Sequence, residues 1–339
     1  MASIKDVAKV AGVSVSTVSR TINNNPSISN TTKEKVLKAI KELNYSPNSM
    51  AQSLSNNNSY TITLIVDNED EKSFHNPFFY EVMHGIEHIV YNKDYCLIVS
   101  NLKTMLTSEN VLERLIKGKR TEGVILPSSI IDSQMINKLK ENKIPFVLIG
   151  EPANLKETVS WVDINNRKAG EQATNYLIDS HRRKVAFIGY DKEKVFNKRR
   201  FEGYKNALAS SEINYNPGLV VEGVNSKDDG YRMMLELLKD QDDLPDSVIC
   251  ADNLMSVGAI RAIKEAGLSI PENISLISFD NSQIAEIMYP TISTIDVDVY
   301  QLGVQSARLL FDLIENPGAR EQELLISTDV LERETTFKN

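Results

Sequence analysis

An α-helical head followed by an α/β body of two doubly wound lobes is the fold that the sequence predicts, on three observations. The first fifty residues carry apolar positions at helical spacing, broken by turn signals and preceded by capping residues. From Tyr60 onward short apolar runs alternate with amphipathic segments, and the alternation starts a second time after Trp161-Val162-Asp163. Charge divides at the same place: seven basic and three acidic residues through Tyr60 give the head a net +4, so a chain of net −8 leaves −12 to the body. A basic module joined to an acidic body suits a DNA-binding head carried by something that avoids DNA.

In the head, Ile4, Val7, Ala8 and Ala11 mark a first helix, Gly12 breaks it, and Ser14 caps a second helix carrying Val15, Val18 and Ile22. Ala8 and Gly12 are small enough for the two helices to cross closely, and Val18 closes the corner: a helix-turn-helix. The second helix shows outward Val15, Ser16, Thr17, Ser19 and Arg20. In a major groove Arg20 can donate two hydrogen bonds to a guanine edge while Ser16 reaches a neighbouring base. Ser29 caps a third helix to Leu43 with a stripe of Val36, Leu37, Ile40 and Leu43, and Asn44 provides a left-handed stop. Ser46-Pro47 then opens about two turns of helix through Leu54, too short to order without a surface to dock on.

The segments IKDVAKVAGVSVSTVSRTINN, KAIKELNYSPN and MAQSLS make the N-terminus resemble the LacI/GalR family of bacterial repressors. The resemblance implies that Ser16 and Arg20 read bases, that Ser14, Asn23 and Tyr45 face phosphates, and that two hinge helices meet in the minor groove, where Leu54, beside Ala51, wedges between base pairs. An apolar wedge unstacks a step and kinks the duplex, which suits that role. The chain departs from many relatives in having no basic residue between Lys41 and Lys72. Fewer phosphate contacts there mean a shallower salt dependence.

In the body, strand-like runs are expected at 61–66, 95–99, 123–126 and 146–149, with helices near 77–92, 108–117 and 132–141. The second series has strands near 185–188, 219–221, 247–250 and 274–279, and helices near 167–178, 198–210, 227–239 and 255–266. Strands alternating with helices give parallel sheets covered on both faces, hence two doubly wound lobes. A helix at 300–313 and a strand-like tail at 323–326 and 329–331 follow. The family resemblance implies a body like a type I periplasmic sugar-binding protein, crossed three times by the chain near residues 162, 292 and 322. The expected divisions are a head of 1–46, a hinge of 47–59, a first lobe of 60–162 with 292–321, and a second lobe of 163–291 with 322–339.

A ligand in such a fold lies at the carboxyl ends of the strands. Asn76, Phe78 and Phe79 follow the first strand, Trp161 lies at the first crossing, and Arg200, Asp252 and Asp280 follow strands of the second lobe. Aromatic faces with carboxylates, an amide and a guanidinium are the chemistry of sugar recognition. RFEGY and SFDN also sit where the family has its effector arginine and aspartate. HNPFFYEVMHGIE and SFDNSQIAE are most similar to maltose-operon repressors of Gram-positive bacteria, implying maltose or a related α-glucoside. A different sugar, or a phosphoprotein co-repressor on the first lobe as in catabolite-control members, is the alternative. The resemblance also implies a homodimer on a pseudo-palindromic operator, with no cofactor.

His84-Gly85-Ile86-Glu87-His88 matches the H-x-x-E-H zinc pattern, the one sequence signal for an enzyme, on a helix that otherwise packs or faces a partner. No G-x-S-x-G and no phosphate-binding glycine loop occurs. Cys96 and Cys250 each fall in an apolar run and read as buried strand residues in a reducing compartment. No apolar run reaches membrane-spanning length and the first helix is capped and amphipathic, so the expected location is cytoplasmic.

Overall fold

A computed structural model describes residues 2–22, 25–45, 58–66, 77–101, 111–153, 155–224, 226–240 and 243–337. Contacts divide the chain into two compact units, Met1–Tyr60 and Thr61–Asn339.

In the first unit, α1 (Ile4–Ala11) begins with a reciprocal cap in which the Asp6 backbone N–H donates to Ser3 Oγ and the Ser3 N–H donates to Asp6 Oδ2. These hydrogen bonds hold the Asp6 carboxyl below its ordinary range. Gly12, at φ +67°, ends the helix in the left-handed region, where the absence of a Cβ removes the strain. Ser14 Oγ accepts from the Thr17 N–H at 3.1 Å at the start of α2 (Val15–Ile22). Ser29 Oγ accepts from the Thr32 N–H at 3.3 Å at the start of α3 (Asn30–Glu42), and Asn44 turns the chain at φ +47°. Val7, Ala8, Val18, Val36 and Ala39 form the core. The expected stripe on α3 needs one correction: Leu37 is 57% exposed. Each helical residue turns about 100°, so a face defined by Val36, Ala39, Ile40 and Leu43 leaves position 37 outside it.

The second unit holds two six-stranded sheets. The first joins β1 (Thr61–Val66), β2 (Cys96–Asn101), β3 (Gly123–Pro127), β4 (Phe146–Ile149), β5 (Trp161–Ile164) and β11 (Glu323–Ile326) in the order β11-β5-β4-β3-β1-β2. The second joins β6 (Val185–Tyr190), β7 (Val220–Glu222), β8 (Ser247–Cys250), β9 (Ser275–Phe279), β10 (Ser293–Asp296) and β12 (Asp329–Leu331) in the order β12-β10-β9-β8-β6-β7. Among the described pairings all are parallel except β10 with β12. The central strands β8 and β9 are buried at every residue, as a sheet covered on both faces requires. The chain leaves one sheet for the other after Ile164, Asp296 and Ile326, a few residues beyond the expected crossings. Each strand runs to its carboxyl end first, and Ser293–Asp296, unforeseen as a strand, extends the second sheet beside β9.

Helices cover both sheets: α4 (Pro77–Asn92), α5 (Val111–Lys117), α6 (Ser133–Glu141) and α12 (Val299–Glu315) on the first, and α7 (Asn166–Asp179), α8 (Val195–Ser210), α9 (Lys227–Leu237), α10 (Asn253–Glu265) and the short α11 (Gln283–Ile287) on the second. Three helix pairs cross glycine on glycine. A Cβ on Gly85 of α4 would lie 2.2 Å from Tyr300 O, and one on Gly303 of α12 would lie 2.1 Å from Val82 O. Gly170 with Gly203 joins α7 to α8, and Gly230 with Gly258 joins α9 to α10, with the same reciprocity. Backbone touching backbone fixes these helices, and therefore the side chains at their first turns, against one another.

Cys250 is buried, and desolvation pushes its thiol well above the ordinary range. Cys96 is exposed, which corrects the expectation of a buried residue: β2 is an edge strand, where Ile98 and Val99 are also partly open. His84, Glu87 and His88 are exposed on α4, with the two imidazoles 5.0 and 6.3 Å from the Tyr300 ring. Among the described residues no three metal-ligating side chains converge, and none of them joins His84 and His88 as the third ligand that a zinc centre needs. Among them, too, no helix is long and apolar enough to cross a membrane.

Candidate functional site

Two surfaces carry chemistry, one in each unit. On the head, Val18 and Thr21 point inward, so α2 turns Val15, Ser16 and Arg20 out to solvent and leaves Thr17 half-buried. Ser14 Oγ lies 2.8 Å from both Ser16 Oγ and Thr17 Oγ1, a linked set of hydroxyls that can rotate toward phosphate or base. Arg20 makes no ion pair among the described residues, which leaves its guanidinium available for a bidentate contact. Tyr45 packs half-buried against the head core. Asn23, Ala51 and Leu54 lie outside the described residues, as does Asn76 of the expected effector set.

In the body, a cavity of about 700 Å³ opens at the carboxyl ends of both sheets. Phe78 and Phe79 line it from the first lobe, where α4 begins, and their inner faces pack on that lobe's core. Arg200, Asp252 and Asp280 line it from the second lobe. Arg200 is buried: its Nε donates to Asn166 Oδ1 at 3.0 Å, its Nη1 donates to the Ala251 carbonyl at 3.1 Å, and its Nη2 is 3.8 Å from Asp280 Oδ1. The guanidinium lies between two rings, 4.0 Å from that of Phe279 and 5.2 Å from that of Phe196. Desolvation pulls the Arg200 pKa below its ordinary value, opposed by Asp280, Asp163 and Asp252.

Asp280 is held at φ +68°, in the left-handed region, just past the end of β9. The Asn253 side chain donates to its carbonyl, and the Asp280 N–H donates to the Ile295 carbonyl at 3.1 Å. Burial pushes the Asp280 carboxyl up to about 6, with Arg200 opposing and Asp252 and Asp296 adding to the rise. Its Oδ1 is buried and accepts no hydrogen bond. Asp280 does not cap α11, whose N-cap is Ser282. Asp252 does cap α10, accepting from the Leu254 N–H at 2.6 Å, and lines the cavity as well.

Trp161 does not line this cavity and is a correction. It sits at the start of β5, buried with Ile65, Val124, Leu126, Phe146 and Leu148 in the first-lobe core. Two residues along a strand cover about 6.6 Å. The strand's far end, Asp163 and Ile164, therefore reaches the cavity and its first residue does not. Sequence reasoning missed Asp163, Glu151, Asp191 and Phe196. The first three lie at or just past the carboxyl ends of β5, β4 and β6, so the rule that found Asp280 also applies to them. Phe196 has a weaker signal, lying one helical turn before Arg200; it is 42% exposed and faces the cavity. Asp163 accepts from the N–H groups of Glu151 and Ile164 and from Asn166 Nδ2, yet desolvation outweighs these and raises its pKa.

A helix-turn-helix head joined to a two-lobed body whose cleft sets a few charged side chains among apolar and aromatic ones defines an effector-controlled DNA-binding regulator. Residues 3–48 match the family described as bacterial regulatory proteins, lacI family, and residues 174–336 match a periplasmic binding protein-like domain. The repressors named PurR of Histophilus somni (strain 129Pt) and Pasteurella multocida (strain Pm70) are each 35% identical to the chain over 327 residues, which is 96% of this chain and 96% and 95% of theirs. The cellobiose complex of the transcriptional regulator CelR is 31% identical, with a TM-score of 0.73 over 99% of this chain and 100% of that one. The lac repressor dimer bound to operator and the anti-inducer ONPF, 23% identical, shares the fold at a TM-score of 0.80 over 99% of both chains. The chain belongs to the LacI family of transcriptional regulators. It is a DNA-binding repressor, not an enzyme. Its relatives named here are PurR repressors and not maltose-operon repressors, so the resemblance holds at the level of the family.

Proposed function

We propose that this repressor responds to a neutral sugar of about disaccharide size, with maltose or a related α-glucoside as the first candidate. The observation that carries the reading is the cleft's pairing of aromatic faces on both walls, Phe78 and Phe79 against Phe196, with the carboxyls of Asp252 and Asp280 around Arg200. A buried Asp280 oxygen without a hydrogen-bond donor calls for a ligand that brings one, and a sugar hydroxyl does. The likeness to the CelR–cellobiose complex supports the same class of ligand. Calorimetric titration with maltose, cellobiose, glucose and a purine base, alone and with DNA selected from a random library, tests it. Saturable disaccharide binding that DNA weakens is expected, since coupling between two sites is reciprocal. Binding of the purine base alone would replace the sugar, and binding of none would send the search to a protein co-repressor.

In this reading the chain works as a homodimer whose heads read the half-sites of a pseudo-palindrome, with Arg20 and Ser16 at the base edges. Arg20→Ala is expected to weaken binding to the selected DNA by about 1–3 kcal/mol and to relax base preference at one position. Fluorescence anisotropy on site variants measures both. A uniform loss at every sequence would make Arg20 a phosphate contact instead.

A further inference from the structure

We propose that Glu151 and Arg199 form a latch between the two lobes that sets how far the cleft opens, whatever ligand occupies it. Glu151 lies just past the end of β4, in the first lobe, and Arg199 lies on α8, in the second. Arg199 Nη2 donates to Glu151 Oε1 at 2.7 Å and its Nε donates to Oε2 at 3.2 Å, a two-pronged pairing across the cleft. Nη1 of the same guanidinium reaches Glu202, one turn along α8, at 3.1 Å. These hydrogen bonds raise the Arg199 pKa, Glu151 contributing first. A single exposed ion pair is worth little, but a forked guanidinium held between two carboxylates is the geometry in which such pairs count.

What gives the pair its leverage is where each end is anchored. The Glu151 N–H donates to Asp163 at 2.8 Å, Asp163 accepts from Asn166, and Asn166 accepts from Arg200. Adjacent residues on one turn of α8 therefore serve two layers: Arg200 lies on the floor of the cleft beside Asp280, and Arg199 reaches over the rim to the other lobe. A ligand that draws Arg200 and Asp280 toward it moves the first turns of α8, and Arg199 passes that movement to the loop after β4. The latch is thus a mechanical link from the effector pocket of one lobe to the backbone of the other.

Hydrogen exchange on the full-length protein without effector tests the link, comparing wild type with Arg199→Gln, Glu151→Gln and the double variant. Each single change is expected to speed exchange about two- to fivefold at the amides of Gly150, Glu151 and Ala153 and at amides 191–199, as loss of a forked pair implies. The double variant is expected to be no faster than the faster single, because both remove one interaction. Raising NaCl from about 0.05 to about 0.5 M should speed wild type and leave Arg199→Gln unchanged. Arg199→Lys should recover only part of the protection, since an ammonium lacks the fork. Additive effects in the double variant, or unchanged exchange in Arg199→Gln, would overturn the latch without touching the choice of sugar, which the titrations decide separately.

Discussion

Gly170→Ala is expected to destabilise the body by about 3 kcal/mol and to weaken effector binding at the same time. A Cβ at this position would lie 2.0 Å from the Arg200 carbonyl oxygen, with the Arg200 carbonyl carbon and Cα at 2.8 and 2.9 Å. No flexible side chain stands in the way to give ground, so α7 and α8 must part. The reciprocal contact, Gly203 against the Arg167 carbonyl at 2.0 Å, opens with it. Overpacking ordinarily costs about 1–3 kcal/mol, and a clash of backbone on backbone belongs at the upper end. For a body of this size that is a fall in melting temperature of roughly 6–12 °C. The ligand effect follows from which atom is pushed: the displaced carbonyl belongs to the residue whose guanidinium reaches Asn166, Ala251 and Asp280. A shift of about 1 Å in such a group is enough to loosen a polar site. Calorimetric melting followed by effector titration measures both losses. A melting temperature within a degree of wild type would mean that the helices do not cross so closely.

That crossing also marks what was and was not legible in the sequence. Local signals read well: Ser14 and Ser29 cap the helices they were expected to cap, Asn44 turns left-handed, and Pro77–Asn92 and Phe146–Ile149 have the expected ends. Each depends on a few neighbouring residues whose preferences agree. Glycines at 85, 170, 203, 230, 258 and 303 look unfavourable inside helices when read alone, and only the partner helix explains them. Ser293–Asp296 was missed because Ser-Thr-Ile-Asp lacks a long apolar run and gains its strand only by pairing with β9. Cys96 and Trp161 failed for a related reason: an apolar run says strand, but not whether it lies at an edge or which of its ends meets the cleft. Among the cleft residues, Asp252 and Asp280 were legible from their places after strands, and Arg200 from the RFEGY segment near the start of its helix. Glu151 was open to the same rule, although its partner Arg199 comes from a distant stretch of chain, and Phe196 offered only its place one turn before Arg200.

Asp280→Asn is expected to abolish the pH dependence of effector binding and to cost most of the affinity. In the wild type the carboxyl is raised to about 6, because burial disfavours the charge more than Arg200, at 3.8 Å, favours it. Its folded value lies above the unfolded one, so between about pH 4 and pH 6 the native state holds a proton that the unfolded chain has released. The stability linked to this group is present below about pH 4 and is lost as pH rises through about 6. Above that pH the site carries a buried, ionised oxygen that accepts no hydrogen bond, a cost that a ligand hydroxyl relieves. Binding of a neutral sugar should therefore strengthen about tenfold from pH 5 to pH 7 and then level off, since each unit below the pKa removes about nine-tenths of the ionised form. With Asn at 280 the profile should be flat, and the fall in stability with rising pH across the same window should shrink. Titration calorimetry at four pH values and urea melts at the same values measure the two slopes. Should the Asn variant keep the wild-type pH profile of binding, the titrating group is another buried carboxyl facing Arg200, and Asp163, whose pKa burial also raises, is the one to substitute next.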